Sequence, residues 1–226
     1  MRQIIIAIDG HSSCGKSTLA RSLAQEFEYK HIDSGAMYRA ITHYLLEEGI
    51  DVYNEVEVSK SLDDVSLILK NDAALNTILL LNGKSLDQEL RSAAVNHNVS
   101  QVAKISDVRS KLVAMQRTLG SSSGVVMDGR DIGTVVFPDA QLKLFLTADQ
   151  AVRTRRRYDE LLAKDELGDM TIEAIDSNLR ARDEIDSNRA HSPLLVATDA
   201  IVINNSNLTR EEQHEMIACL ARRRGT

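Results

Sequence analysis

The residues richest in chemical possibility are Gly10-His11-Ser12-Ser13-Cys14-Gly15-Lys16-Ser17-Thr18, which satisfy the spacing G-x-x-x-x-G-K-[ST]. In that pattern, backbone N–H groups at a helix start cradle a β-phosphate, the lysine bridges β- and γ-phosphates, and the hydroxyl holds Mg²⁺. Gly10, Gly15, Lys16 and Ser17 are the required positions, while His11, Ser12, Ser13 and Cys14 fill tolerant ones. Cys14 is either a redox-sensitive thiol or an inert filler. Asp128 closes an apolar run and suits an acid that orients Mg²⁺ or its waters, with a turn-former before Gly129 as the alternative. Arg130 and Asp131 follow on the same loop. Arg182, Asp186 and Arg189 are spaced i, i+4, i+7, which predicts one helical face carrying either an anion clamp or a plain salt-bridge ladder. Arg153, Arg155, Arg156 and Arg157 form a dense basic helix start, read either as a solvated face or as an arginine-bearing lid.

The elements that must position these groups alternate. Residues 4–8 are a short β-branched run stopped by Asp9-Gly10, the mark of a strand buried on both faces, and Leu19, Ala20, Leu23, Ala24 and Phe27 then recur at helical spacing. A weaker strand at 29–32 precedes Asp33-Ser34 and a second amphipathic helix that stops near Gly49. Further buried-strand runs occupy 125–127, 142–146 and 200–203. Strands separated by helices predict a parallel sheet covered on both sides. One stretch departs from this: residues 65–70 and 77–81 are strand-like, and Asn82-Gly83 signals a tight turn into Lys84-Ser85-Leu86. It reads as a small inserted antiparallel sheet, either an inert edge hairpin or a flap over a substrate.

Composition narrows the classes. With 226 residues, 43% hydrophobic and 27% charged, the chain can bury a sizeable core, which excludes disorder and collagen. Lys and Arg number 27 against 33 Asp and Glu, a net charge of -6, so no nucleic-acid polymer is expected as a partner. Any anion must be caught by a local cluster. Cys14 and Cys219 suggest no disulfide framework, and the six histidines show no ligand-pair spacing. The apolar run at 4–8 is too short for a signal segment, and nothing approaches a membrane span, so no membrane association and a cytoplasmic location are expected. The basic end Arg222-Arg223-Arg224 reads as the last turn of a helix complementing its dipole.

From Ile4 to about Leu220 the chain resembles the bacterial-type cytidylate (CMP) kinases of the nucleoside monophosphate kinase superfamily. The resemblance rests on Ile32-Asp33-Ser34-Gly35-Ala36-Met37-Tyr38-Arg39, on Asp128-Gly129-Arg130-Asp131-Ile132-Gly133-Thr134-Val135-Val136-Phe137-Pro138, and on Arg182-Asp183 followed by Asn188-Arg189-Ala190. It implies an α/β P-loop kinase fold: a parallel five-stranded sheet flanked by helices, a small antiparallel β insert and a helical lid. The core would span 1–62 and 96–226, the acceptor-binding insert 63–95, and the lid 153–170. The implied reaction moves the γ-phosphoryl of Mg-ATP to CMP or dCMP, within pyrimidine nucleotide metabolism, in a monomer.

Carried onto this sequence, the resemblance implies that ATP is bound by Gly10, His11, Ser12, Ser13, Cys14, Gly15, Lys16, Ser17, Thr18 and Arg157, with Ser17 and Asp128 serving Mg²⁺. CMP would be bound by Ser34, Arg39, Ser100, Arg109, Arg130, Asp131, Arg182, Asp186 and Arg189, and Lys16, Arg130, Arg182 and Arg189 would carry catalysis. Asp131 would accept from the cytosine amino group while Arg109 donates to the acceptor edge; uracil reverses that polarity at a cost of about 1–3 kcal/mol. The chain departs from the family at His11-Ser12-Ser13-Cys14, where a Pro-Ser-Gly-Ala-like stretch is usual and Ser13 replaces a glycine. Two other readings are a kinase of another small acceptor, such as UMP, AMP or a polyol, and a nucleotide-dependent switch. Against the switch, a guanine-reading Asn-Lys-x-Asp is absent, as are protein-kinase signatures.

Overall fold

The computed structural model describes residues 2–71, 77–86, 88–120 and 124–225. In chain order the elements are β1 (Ile5–Gly10), α1 (Lys16–Phe27), β2 (Lys30–Asp33), α2 (Ser34–Glu47), α3 (Glu55–Ser61), β3 (Leu67–Asn71), β4 (Thr77–Leu81), β5 (Lys84–Ser85), α4 (Ala93–Val102), α5 (Ser106–Leu119), β6 (Val125–Gly129), β7 (Leu142–Thr147), α6 (Gln150–Ala163), α7 (Ile172–Asn188), β8 (Ile201–Asn204) and α8 (Arg210–Arg224). A five-stranded sheet runs in the order β2-β6-β1-β7-β8, and a three-stranded antiparallel sheet in the order β3-β4-β5. The strand-helix alternation and the inserted hairpin read from the sequence are both present. By contacts the chain divides into two compact units, Met1–Tyr29 with Ser123–Thr226, and Lys30–Ser122.

In the first unit β1 is central. It pairs in parallel with β6 (Ile8 opposite Asp128) and with β7 (Ile8 opposite Leu144). Every residue of β6 is buried, as is every residue of β1 after Ile5, which is why both strands are apolar without alternation up to the acids near their ends, Asp9 and Asp128. Ile6, Ile8, Leu144 and Leu146 pack with Leu19 and Leu23 of α1 and with Ile217 and Ala221 of α8. Thr209 and Glu212 close a reciprocal capping box at the start of α8, and Arg222, Arg223 and Arg224 fill its last turn. Leu161, Ile175 and Leu179 hold α6 against α7. One expectation is corrected here. The helix ends at Asn188, and Arg189 follows with φ −65° and ψ 144°, so Arg189 leaves the helical face shared by Arg182 and Asp186.

In the second unit Asp33 caps α2 by accepting from the N–H of Ala36 at 2.8 Å. Asn82 and Gly83 both have positive φ, 48° and 82°, the conformation that a two-residue hairpin between right-twisted strands requires. Asn82 Oδ1 also accepts from Ser66 N at 2.7 Å, tying the turn to the strand entry. Among the described residues no helix is long and apolar enough to cross a membrane.

Candidate active site

The phosphate-binding pattern lies between the C-terminal end of β1 and the start of α1. Gly10 has φ 144°, and a Cβ there would meet Leu146 O at 2.0 Å, so only glycine fits. Ser13 and Gly15 are both left-handed, φ 58° and 86°. Gly15 takes the N-cap position of α1 without a side-chain cap, so the positive end of the helix faces the loop. Lys16 is buried, and its Nζ donates to His11 O at 2.7 Å. Burial first, then Arg130, lower its pKa from the usual lysine value.

Two strand ends meet at this loop. Ser17 Oγ donates to Asp128 Oδ2 at 2.6 Å, which joins the hydroxyl of the phosphate-loop pattern to the carboxylate at the end of β6. Arg130 donates from Nε to Asp186 Oδ2 at 2.7 Å and from Nη2 to Ser12 Oγ at 2.9 Å. Burial works against the Asp186 anion, but Arg130, Arg189 and Arg182 outweigh it and hold the carboxyl below its usual range. Arg189 lies 3.7 Å from both Asp131 Oδ1 and Asp186 Oδ1 and donates from Nε to Ser192 O at 2.7 Å. Although Arg189 leaves the helix, it is thereby brought back beside Asp186.

The basic run on α6 has four different fates. Arg153 is buried, where it pairs with Asp183 and donates to Ser12 O at 3.2 Å. Arg155 is exposed and pairs with Asp159 at 3.0 Å. Arg156 donates to both oxygens of Asn205 at 2.9 Å, and Arg157 pairs with Glu160 at 2.9 Å. Asp183 Oδ1 also accepts from Ser12 N at 3.0 Å, so the phosphate loop is held at Ser12 through its N–H, its carbonyl and its hydroxyl.

In the second unit Ser34 is buried at the first position of α2, and Arg39, one turn on, donates to Asp33 Oδ2 at 3.0 Å. Burial raises the Asp33 pKa, but Arg39 and the Ala36 amide overcome that and lower it. Ser100 on α4 and Arg109 on α5 are buried polar side chains. Arg109 donates from Nη1 to Ala103 O at 3.2 Å, and its guanidinium lies 5.6 Å from the Tyr38 ring centroid. The residues expected on the acceptor side therefore divide, with Arg130, Asp131, Arg182, Asp186 and Arg189 in the first unit and Ser34, Arg39, Ser100 and Arg109 in the second.

Sequence reasoning missed two acids. Asp183 stands out in the sequence only as the neighbour of Arg182, yet it anchors Ser12. Asp9 is buried and accepts from the N–H groups of Ile132 and Gly133 at 2.8 and 2.7 Å. Its signal was present: an acid ending a fully apolar strand, the pattern that singled out Asp128.

A family model described as cytidylate kinase matches residues 6–223. The cytidylate kinase of Flavobacterium psychrophilum is 47% identical over 221 residues, 96% of this chain and 97% of that protein. That of Parabacteroides distasonis is 48% identical over 217 residues, 94% of each. A crystal structure of a gluconokinase from Sinorhizobium meliloti covers 99% of this chain and 94% of its own at TM-score 0.51 and 14% identity, a likeness of fold alone. With the phosphate loop, the Ser17–Asp128 pair and the arginine-carboxylate cluster on one sheet edge, and with relatives alike along their whole length, the chain belongs to the cytidylate kinase family.

Proposed function

We propose that this kinase transfers the γ-phosphoryl of ATP to the phosphate of CMP or dCMP, giving ADP and CDP or dCDP. The observation that carries the reading is the cluster at the ends of β1 and β6, where Lys16, the Ser17–Asp128 pair and Arg130 with Asp186 surround the uncapped start of α1. The acceptor oxygen is already anionic, so no strong general base is needed. Catalysis comes from alignment and from neutralising spreading negative charge.

In this reading the loop from Gly10 to Thr18, with Arg157, holds ATP. Lys16 bridges its terminal phosphates, and Arg130, Arg182 and Arg189 surround the transferring group. Ser17 and Asp128 present a hydroxyl and a carboxylate 2.6 Å apart, hard oxygen donors that fit Mg²⁺. Held by these two side chains, Mg²⁺ would supply positive charge that neutralises the phosphates of ATP. Ser34 and Arg39 hold the acceptor phosphate, and Ser100, Arg109 and Asp131 read the cytosine edge. The insert at 63–95 serves the acceptor, and 153–170 acts as a lid that excludes water. A cytoplasmic monomer working in pyrimidine nucleotide metabolism completes the reading.

Lys16→Ala tests it directly. The variant keeps the fold by circular dichroism and loses about 10³-fold or more of CMP-dependent ADP formation. Near-normal turnover in the folded variant removes Lys16 from its role.

A further inference from the structure

Asp9 takes part in none of the steps above, yet it is only 4% exposed at the end of β1, one residue before Gly10. Its carboxylate is divided between two consecutive backbone donors. Oδ1 accepts from Ile132 N at 2.8 Å and Oδ2 from Gly133 N at 2.7 Å. These are the first two amides after Arg130 and Asp131. From the other direction the carbonyl of Asp131 accepts from the N–H groups of Val135 and Val136 at 2.9 and 3.2 Å. The turn also has no slack, because a Cβ added to Gly133 would lie 3.2 Å from Cδ of Lys143 and 3.3 Å from Oδ2 of Asp9.

We propose that Asp9 is a positioning residue for acceptor recognition: its carboxylate clamps the turn at Ile132 and Gly133 and so fixes how Arg130 and Asp131 leave the end of β6. The inference rests on the acceptor reading given above. An ionised carboxylate is the form of this side chain that accepts most strongly at both oxygens. An amide turns an NH2 donor toward one of the two N–H groups and loses that bond, and protonation of the acid weakens one of the two acceptors. Burial pushes the Asp9 pKa up to about 6 against the pull of the two backbone hydrogen bonds, with Asp131 raising it further and Lys16 opposing. The charged groups facing it are thus Asp131 from the turn and Lys16 from α1, with the Lys143 stem of β7 lying across Gly133. The clamp is strongest well above pH 6 and weakens as the pH falls through that value.

The test compares kcat/KM for CMP in the wild type and in Asp9→Asn from pH 5 to pH 8. Substrate phosphates titrate in the same window, so the ratio of the two enzymes is what reads Asp9. The clamp gives a ratio of about ten at pH 8, falling to near one at pH 5 with a midpoint near 6. A ratio that stays flat with pH, whether at one or at a larger value, overturns it, the larger value marking a purely structural role. A second measurement needs neither variant nor substrate. The amide proton resonances of Ile132 and Gly133 in the wild type should move upfield together as the pH falls through about 6, and amides that do not titrate there contradict the clamp. If the wild type shows no CMP-dependent turnover, the acceptor reading fails while the amide titration still decides the role of Asp9.

Discussion

Ser13 sits in the left-handed region at φ 58° in the middle of the phosphate loop, where a Cβ costs about 1–2 kcal/mol. The loop adopts this conformation although residue 13 is a serine and carries a Cβ. Ser13→Gly should relieve the strain, partly offset by the greater freedom of glycine in the unfolded chain, for a net gain of about 0.5–1 kcal/mol. A rise in the urea midpoint at unchanged slope is the expected reading; an unchanged or lower midpoint would show that the serine side chain compensates for its backbone. The same scale separates what residue type alone could say about the arginines. Arg153 and Arg155 belong to one basic run, yet the first is buried against Asp183 and the second stands in solvent beside Asp159. Composition marks the run as basic, but only helical phase relative to the core decides which guanidinium turns inward.

At the scale of elements, α6 and α7 meet the phosphate loop through a shared ion pair. Arg153 from α6 and Asp183 from α7 bind each other and take the carbonyl and the N–H of Ser12. Removing one partner leaves a buried charge and a loop amide without its acceptor, so Asp183→Ala should destabilise the chain by about 3–5 kcal/mol. The isosteric Asp183→Asn keeps one acceptor; it should cost less and raise KM for ATP more than it lowers kcat, because the loop and not the acceptor is disturbed. Urea unfolding and steady-state kinetics read both effects, and an Asp183→Ala chain as stable as the wild type would refute the tether. Helix α7 also shows where periodicity misleads. The i, i+4, i+7 spacing assigns Arg189 to the face of Arg182 and Asp186, but the helix stops at Asn188. Arg189 returns to within 3.7 Å of Asp186 only because its extended backbone and the hydrogen bond to Ser192 O turn the guanidinium back.

For the molecule as a whole, the readable parts of the sequence were those where one physical demand dominates. Strands buried on both faces need unbroken apolar runs, and β1, β6 and β7 were found that way. Asn82-Gly83 announced its hairpin because few residue pairs accept two positive φ values. The phosphate loop was legible because Gly10 faces Leu146 O with no room for a Cβ. Groups whose role depends on partners distant in sequence were not legible: Asp9 acts on Ile132 and Gly133, and Asp183 on Ser12, pairings that no local pattern encodes. The Ser17–Asp128 contact across 111 positions was legible in part, since the loop leading from β1 into Ser17 and the end of β6 at Asp128 emerge at the same edge of a parallel sheet. The acceptor is tested most directly by ADP formation from Mg-ATP with CMP, dCMP, UMP, AMP, GMP and no acceptor, side by side at equal concentration. Strong stimulation by CMP and dCMP, weak by UMP and near none by the purine nucleotides is the predicted result. A flat panel at the no-acceptor rate would contradict it and leave a phosphate loop without the acceptor proposed for it.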